Sequence, residues 1–383
     1  MSESRTTTST TAGAEFAPTT APLQRARHAP GYVYTAPEVL ARERDELFLK
    51  DWLFVGRVEE FEKPGDYRAL RVLGEPIAVT RSQDGQLHAF ANVCRHRGVE
   101  VATGEGNTDT FSCPYHGWVY DLTGRLLGAP YTQDLEGFDV RTCRMTPLRI
   151  GTWAGNIFVC FDPRTPPLQE FIGEFAREFD FLRMERCRLS AKLTLPFNCN
   201  WKFIVENLMD FYHVGVLHVR SFGAKTFFDR AHFTLLGNGG MRFDYASAPS
   251  TPMGTSLFGN LPWLADRPDT FAVTGYLAPN LQLFGRSDQV RLYSTWPVTP
   301  GRCEVVHYSL FPAEHFQQPD FALKANVYHR FIESVVAEDR SMVESLQNGV
   351  ASRVYEPGPM TTLEKAIHHV LNNILTRIDA NGA

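Results

Sequence analysis

Between about residues 57 and 160 the apolar positions come in short runs, DYRALRVL, EPIAVTRS, QLHAFANV and GNIFVCFD, separated by turn signals such as GE and QDGQ. That pattern predicts short strands and a small all-β unit. Upstream, TAPEVLARERDELFLKDW carries a helical period, with Thr35 as N-cap and Pro37 in the first turn. Downstream, PPLQEFIGEFAREFDFL predicts an amphipathic connector helix and RLSAKLTLPF a strand. NWKFIVENLMDFYHV then predicts a helix, and strand-like runs fill residues 230 to 312. Two C-terminal helices follow, FALKANVYHRFIESVVAEDRSMVESLQNG and TLEKAIHHVLNNILTRI, and no internal repeat is visible. The second part therefore predicts an antiparallel sheet with helices to one side, and the whole chain an α+β fold.

Composition adds bounds. A chain of 383 residues is too long for one ordinary core, so two domains are expected. The N-terminus, MSESRTTTSTTAGAEFAPTTAP, is rich in Ser, Thr and Ala, lacks a signal-peptide core, and predicts disorder to about residue 25. The expected division is a tail over 1–34, a helix over 35–56, the β unit over 57–165 and the larger unit over 166–383. A net charge of −5 and a pI near 6.2 argue against a nucleic-acid partner. No apolar run reaches the roughly 20 residues of a membrane helix; IGTWAGNIFVCF reads as paired strands. Seven scattered cysteines do not make a disulfide framework, so a reducing cytoplasm is expected. Cys94 and Cys113 are then directed toward metal chemistry.

The stretch CRHRGVEVATGEGNTDTFSCPYHGW, residues 94 to 118, pairs Cys94 with His96 and Cys113 with His116. Zinc, a Rieske [2Fe–2S] cluster, or plain buried side chains are the readings available. Zinc sites usually take two Cys from one loop and two His from another. One Cys and one His per loop suits two thiolates on one iron and two imidazoles on the other. A second group lies in NWKFIVENLMDFYHVGVLH. At 100° per residue, Trp201, Val205, Leu208 and Tyr212 fall on one helix face, and Glu206, Asp210 and His213 on the other. His218 follows past Gly215, where the helix should break. A solvated polar face is one reading; a non-haem iron site of two His and one carboxylate is the other. Glu333, Glu338 and Asp339 are the candidate carboxylates on the next long helix. Asp339 falls within the apolar stripe of Phe331, Val335, Met342 and Leu346, with Glu338 on its border. A carboxylate facing a core needs a partner, either a metal or a buried salt bridge. His368 and His369 read as ordinary helix residues.

CRHRG and CPYHGW resemble the Rieske domain of the Rieske non-haem iron oxygenases, the family of aromatic-ring hydroxylases and related demethylases. Rieske proteins of respiratory complexes carry an extra disulfide-forming Cys in each loop; here Gly98 and Val99 follow the first loop and Tyr115 occupies the second. The resemblance implies Cys94, His96, Cys113 and His116 as cluster ligands, with Trp118 beside the second loop. It implies His213, His218 and Asp339 as ligands of mononuclear Fe(II), with Asp210 linking that iron to a cluster. Spanning about residues 35 to 375, it implies a Rieske domain followed by a helix-grip catalytic domain.

It further implies hydroxylation of a small aromatic substrate by O2, with electrons ultimately from NAD(P)H. These arrive through a separate reductase and possibly a ferredoxin; GEGN at 104–107 lacks the context of a dinucleotide site. A head-to-tail homotrimer, with a possible small β subunit, would pass electrons from one subunit's cluster to its neighbour's iron. Asn207 precedes Asp210 by three positions, where ring dioxygenases of the naphthalene type tend to show one more. That departure points toward the broader group that includes monooxygenases and demethylases; the alternative activity is O- or N-demethylation of a methylated aromatic or quaternary ammonium compound. A carrier using only the cluster and a zinc-stabilised binding module are the rival classes. Phe222, Phe227, Phe228, Leu281, Phe284 and Trp296 are candidate pocket residues, while Arg286, Arg291 and Lys225 are expected at the surface.

Overall fold

The computed structural model describes residues 15–219, 221, 222 and 231–379. The predicted strands assemble into one seven-stranded antiparallel sheet, ordered Leu53–Arg57, Asn156–Cys160, Pro147–Trp153, Leu87–Ala91, Glu75–Arg81, Asp66–Val72 and Glu105–Asn107. A three-stranded sheet of Thr110–Ser112, Val119–Asp121 and Leu126–Gly128 completes this unit. A second seven-stranded sheet runs Cys187–Phe197, Arg302–Pro312, Val290–Thr299, Leu281–Arg286, Phe271–Leu277, Met241–Ala246 and His232–Leu235. With its helices it gives the expected α+β architecture.

Alternation along the second sheet sorts its two faces. Val273, Leu283, Leu292 and Leu310 are buried in a core with Phe175, Phe179 and Leu182 of the connector. Gly275 and Gly285 make that approach possible: a Cβ at Gly275 would lie 2.4 Å from the Phe179 ring, and one at Gly285 2.8 Å from Leu182. The other face turns toward the helices Trp201–Met209, Phe321–Val350 and Lys365–Asp379.

Four local expectations change. Thr35 is not an N-cap: the helix starts at Pro37 after Ala36, whose extended backbone (φ −82°, ψ 127°) is what a following proline imposes. Thr35 Oγ1 donates instead to the Gly31 carbonyl at 3.1 Å. Residues 35–56 are also not one helix. Pro37–Glu43 passes into a π turn, and Leu53–Arg57, wholly buried, pairs with Asn156–Cys160 as a sheet strand. The connector is broken at Ile172 into Leu168–Phe171 and Gly173–Phe179, so that Leu168, Ile172, Phe175 and Phe179 can all be buried. Finally, residues 15–34 are ordered. Phe16, Ala29, Val33 and Tyr34 are buried, His28 N–H donates to Gly358 O at 2.9 Å, and Tyr34 stacks on Phe203 at 4.2 Å. Composition signals disorder only while no apolar partner is known, and here the C-terminal segment supplies one. Residues 1–14 lie outside the described residues.

A buried ion pair ties the N-terminal helix to the start of Trp201–Met209. Lys202 Nζ lies 2.5 Å from Glu43 Oε1, and Trp201 Nε1 donates to Glu43 Oε2 at 2.7 Å. Both charged side chains are essentially inaccessible, 1% and 0% exposed. Lys202→Ala strands the Glu43 carboxylate and should lower unfolding free energy by about 3–5 kcal/mol, read as a shift in the urea midpoint at unchanged slope. A midpoint equal to that of the parent chain would show the pair to be without structural weight.

Candidate functional site: two metal centres and the pocket beside one of them

The two Cys/His loops fold alike. Cys94 N–H donates to Val99 O and Gly98 N–H to Cys94 O, at 2.8 and 2.9 Å. In the second loop Cys113 N–H donates to Trp118 O and Gly117 N–H to Cys113 O, at 2.8 and 3.0 Å. Gly98 (φ +80°) and Gly117 (φ +67°) take the left-handed turn that lets each loop close over its own Cys. Both thiols are buried, while both imidazoles are exposed and meet with their Nδ1 atoms 3.1 Å apart. Thiols inside and imidazoles outside is the donor division of a two-iron cluster; a single tetrahedral ion would draw all four ligands to one point. The Trp118 ring lies flat on His96 of the first loop (5.1 Å, 11°), and Tyr115 of the second loop sits against His116 (3.8 Å). Sequence reasoning did not single out Tyr120. Its hydroxyl is 3.3 Å from Cys94 Sγ and accepts Arg95 N–H at 3.0 Å. Its place in an alternating strand shows it buried, but not what it touches.

The second centre is built where a helix stops. Asn200 caps Trp201–Met209 through Lys202 N–H at 3.0 Å. The chain leaves the helix at Asp210 (φ −77°, ψ 112°), and Val214–Leu217 forms a separate short turn containing Gly215. The expected continuous helix to residue 213 is thus absent. Tyr212 is 54% exposed instead of joining an apolar face, and Glu206 is buried, accepting from Tyr34 Oη at 2.9 Å. Breaking the helix swings the two histidines toward each other: His213 Nε2 and His218 Nε2 are 3.2 Å apart. Asp339 Oδ1 comes from the helix Phe321–Val350, 3.5 Å from His213 Nε2 and 3.0 Å from His218 Nε2. That oxygen is buried and makes no hydrogen bond despite those distances, and with the two Nε2 atoms it forms a group that could hold a metal ion. Separations near 3 Å suit ligands in adjacent positions around an ion at roughly 2.1 Å.

Each imidazole is held from behind. Asp210 Oδ2 lies 3.0 Å from His213 Nδ1, and Glu338 Oε2 lies 2.7 Å from His218 Nδ1 while accepting Ser221 Oγ–H at 2.8 Å. Such carboxylates fix the tautomer that leaves Nε2 free for a metal. Burial alone would lower the His213 pKa, but Asp210 and Asp339 outweigh it and raise it to about 9. Burial would raise Asp339, yet the two histidines hold it below its ordinary value. Glu338, weighed in the sequence only as a rival to Asp339, thus becomes the support of His218. Glu333 pairs with Arg330 on the exposed face. Glu338→Gln should weaken iron affinity about 10- to 100-fold, measured by chelator competition; an unchanged affinity would remove Glu338 from the site.

Beside the triad lies a pocket of about 690 Å³, mouth included. Its walls include Phe211, Phe222, Phe243, Phe284, Val335 and Tyr293. Of the expected lining residues, Phe222 and Phe284 are present. Leu281 is buried in the core on the far sheet face, and Trp296 lines a different cavity with Val306 and Tyr308. Phe227, Phe228 and Lys225 lie outside the described residues. Arg286 and Arg291 are buried in the pocket wall instead of exposed, since sheet register turns them inward. His368 and His369 bond backbone carbonyls of Ala21 and Leu236 and take no part in either centre.

Residues 51–139 match the family model of the Rieske [2Fe-2S] domain, and residues 184–380 match that of the ring hydroxylating alpha subunit catalytic domain. The chain belongs to the Rieske oxygenase family. This oxygenase is therefore an oxidoreductase that uses a Rieske cluster and a mononuclear iron, and the residues present fit both groups. The match to a catalytic domain removes the simple carrier and the zinc module. The oxygenase is 28% identical to the carnitine monooxygenase oxygenase subunit of Acinetobacter pittii, over 85% of this chain and 86% of that one. It is 26% identical to the glycine betaine monooxygenase oxygenase subunit of Chromohalobacter salexigens, over 91% and 86% of the two chains. Among solved structures it resembles the quaternary ammonium Rieske monooxygenase CntA in complex with L-carnitine, with 25% identity, TM-score 0.78, and 94% and 97% of the chains covered. Naphthalene 1,2-dioxygenase from Rhodococcus sp. shares the fold at 21% identity and TM-score 0.75, over 93% and 95%. Among the described residues, no helix is long and apolar enough to cross a membrane.

Proposed function

We propose that this chain is the terminal component of a monooxygenase that oxidises a small quaternary ammonium compound at a C–H bond. Cys94, His96, Cys113 and His116 hold the cluster; His213, His218 and Asp339 hold the iron; Asp210 joins the two. The convergence of three ligand atoms, each within 4.8 Å of the others and two of them on buttressed imidazoles, carries the reading. Iron in such a triad, with positions left open, supplies O2 activation when electrons reach it through the cluster. The protein's own work is to hold the imidazoles in one tautomer, to exclude water with an apolar wall, and to present the substrate. Aromatic faces in that wall suit a methylated ammonium group through cation–π attraction, in line with the names of the relatives.

Electrons come from NAD(P)H through a separate reductase, with or without a ferredoxin. The exposed His96 and His116 edge and an open groove lined by Asp210, Val216, Met342 and Leu346 support transfer between subunits of a head-to-tail trimer. Val216 is 80% exposed there, an apolar surface that a neighbouring subunit can cover. The phenylalanines favour a second reading, hydroxylation of an aromatic ring or demethylation of a methylated aromatic. Product analysis with a surrogate reductase, using L-carnitine, glycine betaine, choline and an aromatic panel, separates the two. A demethylated or hydroxylated ammonium product supports the first reading, and ring hydroxylation without it supports the second.

A further inference from the structure

Arg286 and Arg291 are 4% and 3% exposed, yet both line the pocket that contains the triad. They come from neighbouring strands, Leu281–Arg286 and Val290–Thr299. Phe284 pairs with Arg291 across that ladder, and Arg286 follows two residues after Phe284, so all three share the pocket-facing side. Nε and Nη1 of Arg286, and Nε of Arg291, are buried without a hydrogen-bond partner. Among the described residues neither guanidinium makes an ion pair. Asp288, on the turn between the two strands, accepts from the Tyr328 hydroxyl instead. The aromatic rings under them, Tyr245 at 5.0 Å and Phe284 at 5.6 Å, offset only part of the cost.

A guanidinium keeps its proton in a protein, so two buried positive charges with idle N–H groups call for an anion. Burial pushes Arg286 below its ordinary value, and the nearby Arg291 pushes it the same way. The planar N–H fork matches a carboxylate better than a point charge would. Phe222, edge-on to His218 at 5.7 Å, lines the same pocket. We propose that Arg286 and Arg291 together bind a carboxylate of the substrate, so that the enzyme takes acids or zwitterions and rejects purely cationic or neutral molecules. This rests on the pocket being the oxygenase's substrate site, and it holds for an aromatic acid as well as for a betaine.

Equilibrium dialysis of the holoenzyme against two matched pairs tests it: glycine betaine with choline, and benzoate with benzyl alcohol. In each pair a carboxylate replaces a hydroxymethyl group. At least one acid should bind about tenfold or more tightly than its alcohol. R286Q and R291Q should each weaken that acid about 10- to 100-fold while leaving the alcohol unchanged. The visible cluster spectrum and iron content report whether the variants are intact; if they are not, the wild-type preference alone decides. Alcohols binding as tightly as acids, intact variants that keep the preference, or no acid bound at about 10 mM would each overturn the proposal. Benzoate binding and oxidation without any betaine would sink the quaternary ammonium reading and leave the arginine anchor standing. Choline bound, with neither acid preferred over its alcohol, would do the reverse.

Discussion

With Fe(II) in excess, Asp210→Ala will keep iron at both centres and the Rieske absorption bands, yet lose about 10- to 100-fold of its turnover. Asp210 is not one of the three converging ligands. Its Oδ2 meets His213 Nδ1 at 3.0 Å, while Oδ1 accepts Tyr212 N–H at 2.7 Å, which pins the carboxylate in place. Its side chain is also 20% exposed, at the groove where another subunit's cluster can approach. The alanine variant leaves His213 Nδ1 without its acceptor and the groove without its charge. Iron is held less tightly, as in the Glu338 variant, but stays bound when Fe(II) is in excess because both Nε2 atoms and Asp339 remain. Stopped-flow reoxidation of the reduced cluster, with O2 and substrate present, should slow in parallel with product formation. Turnover at the parent rate would show that electrons do not need this carboxylate.

Asp339→Ala should act on the metal itself. Only two imidazoles would remain, and iron content should fall from about three to about two atoms per chain, with cluster bands intact and product formation abolished. The competing account is a buried salt bridge between Asp339 and the two histidines, in line with the upward shift that Asp339 gives both imidazoles. The two accounts differ in iron stoichiometry. A salt bridge alone predicts lost stability with three irons retained, and that result would move the third iron elsewhere. Glu338 cannot take over, because His218 Nδ1 and Ser221 Oγ already engage the oxygen that reaches the site.

How far the chain could be read depended on the range of the interactions involved. The Rieske domain was legible because Cys94 with His96, and Cys113 with His116, lie within three residues of each other, and glycine ends each loop. Short strands were legible from their alternation. The helix carrying His213 was misjudged because its amphipathic pattern runs past Met209, while the backbone turns away to bring His213 and His218 together. Residues 15–34 were misjudged because their apolar side chains find partners more than 150 residues away, such as Phe203 for Tyr34.

Local spacing by itself determined that two short loops each offer one Cys and one His, and that His213 and His218 lie close along the chain, since a loop of a few residues has few ways to point its side chains; the reading of sulfide-bridged iron came from the resemblance to a family. The apolar stripe of the long helix already favoured Asp339 over Glu338; only the tertiary structure decided that Asp339 converges with His213 and His218 while Glu338 braces His218, because one helix turn must be oriented against a segment some 120 residues away before adjacent carboxylates can differ. The same holds for Arg286 and Arg291. Their sequence neighbourhood allows a solvated edge, and it is the pairing of neighbouring strands beneath the long helix that turns both charges inward and leaves them to await an anion.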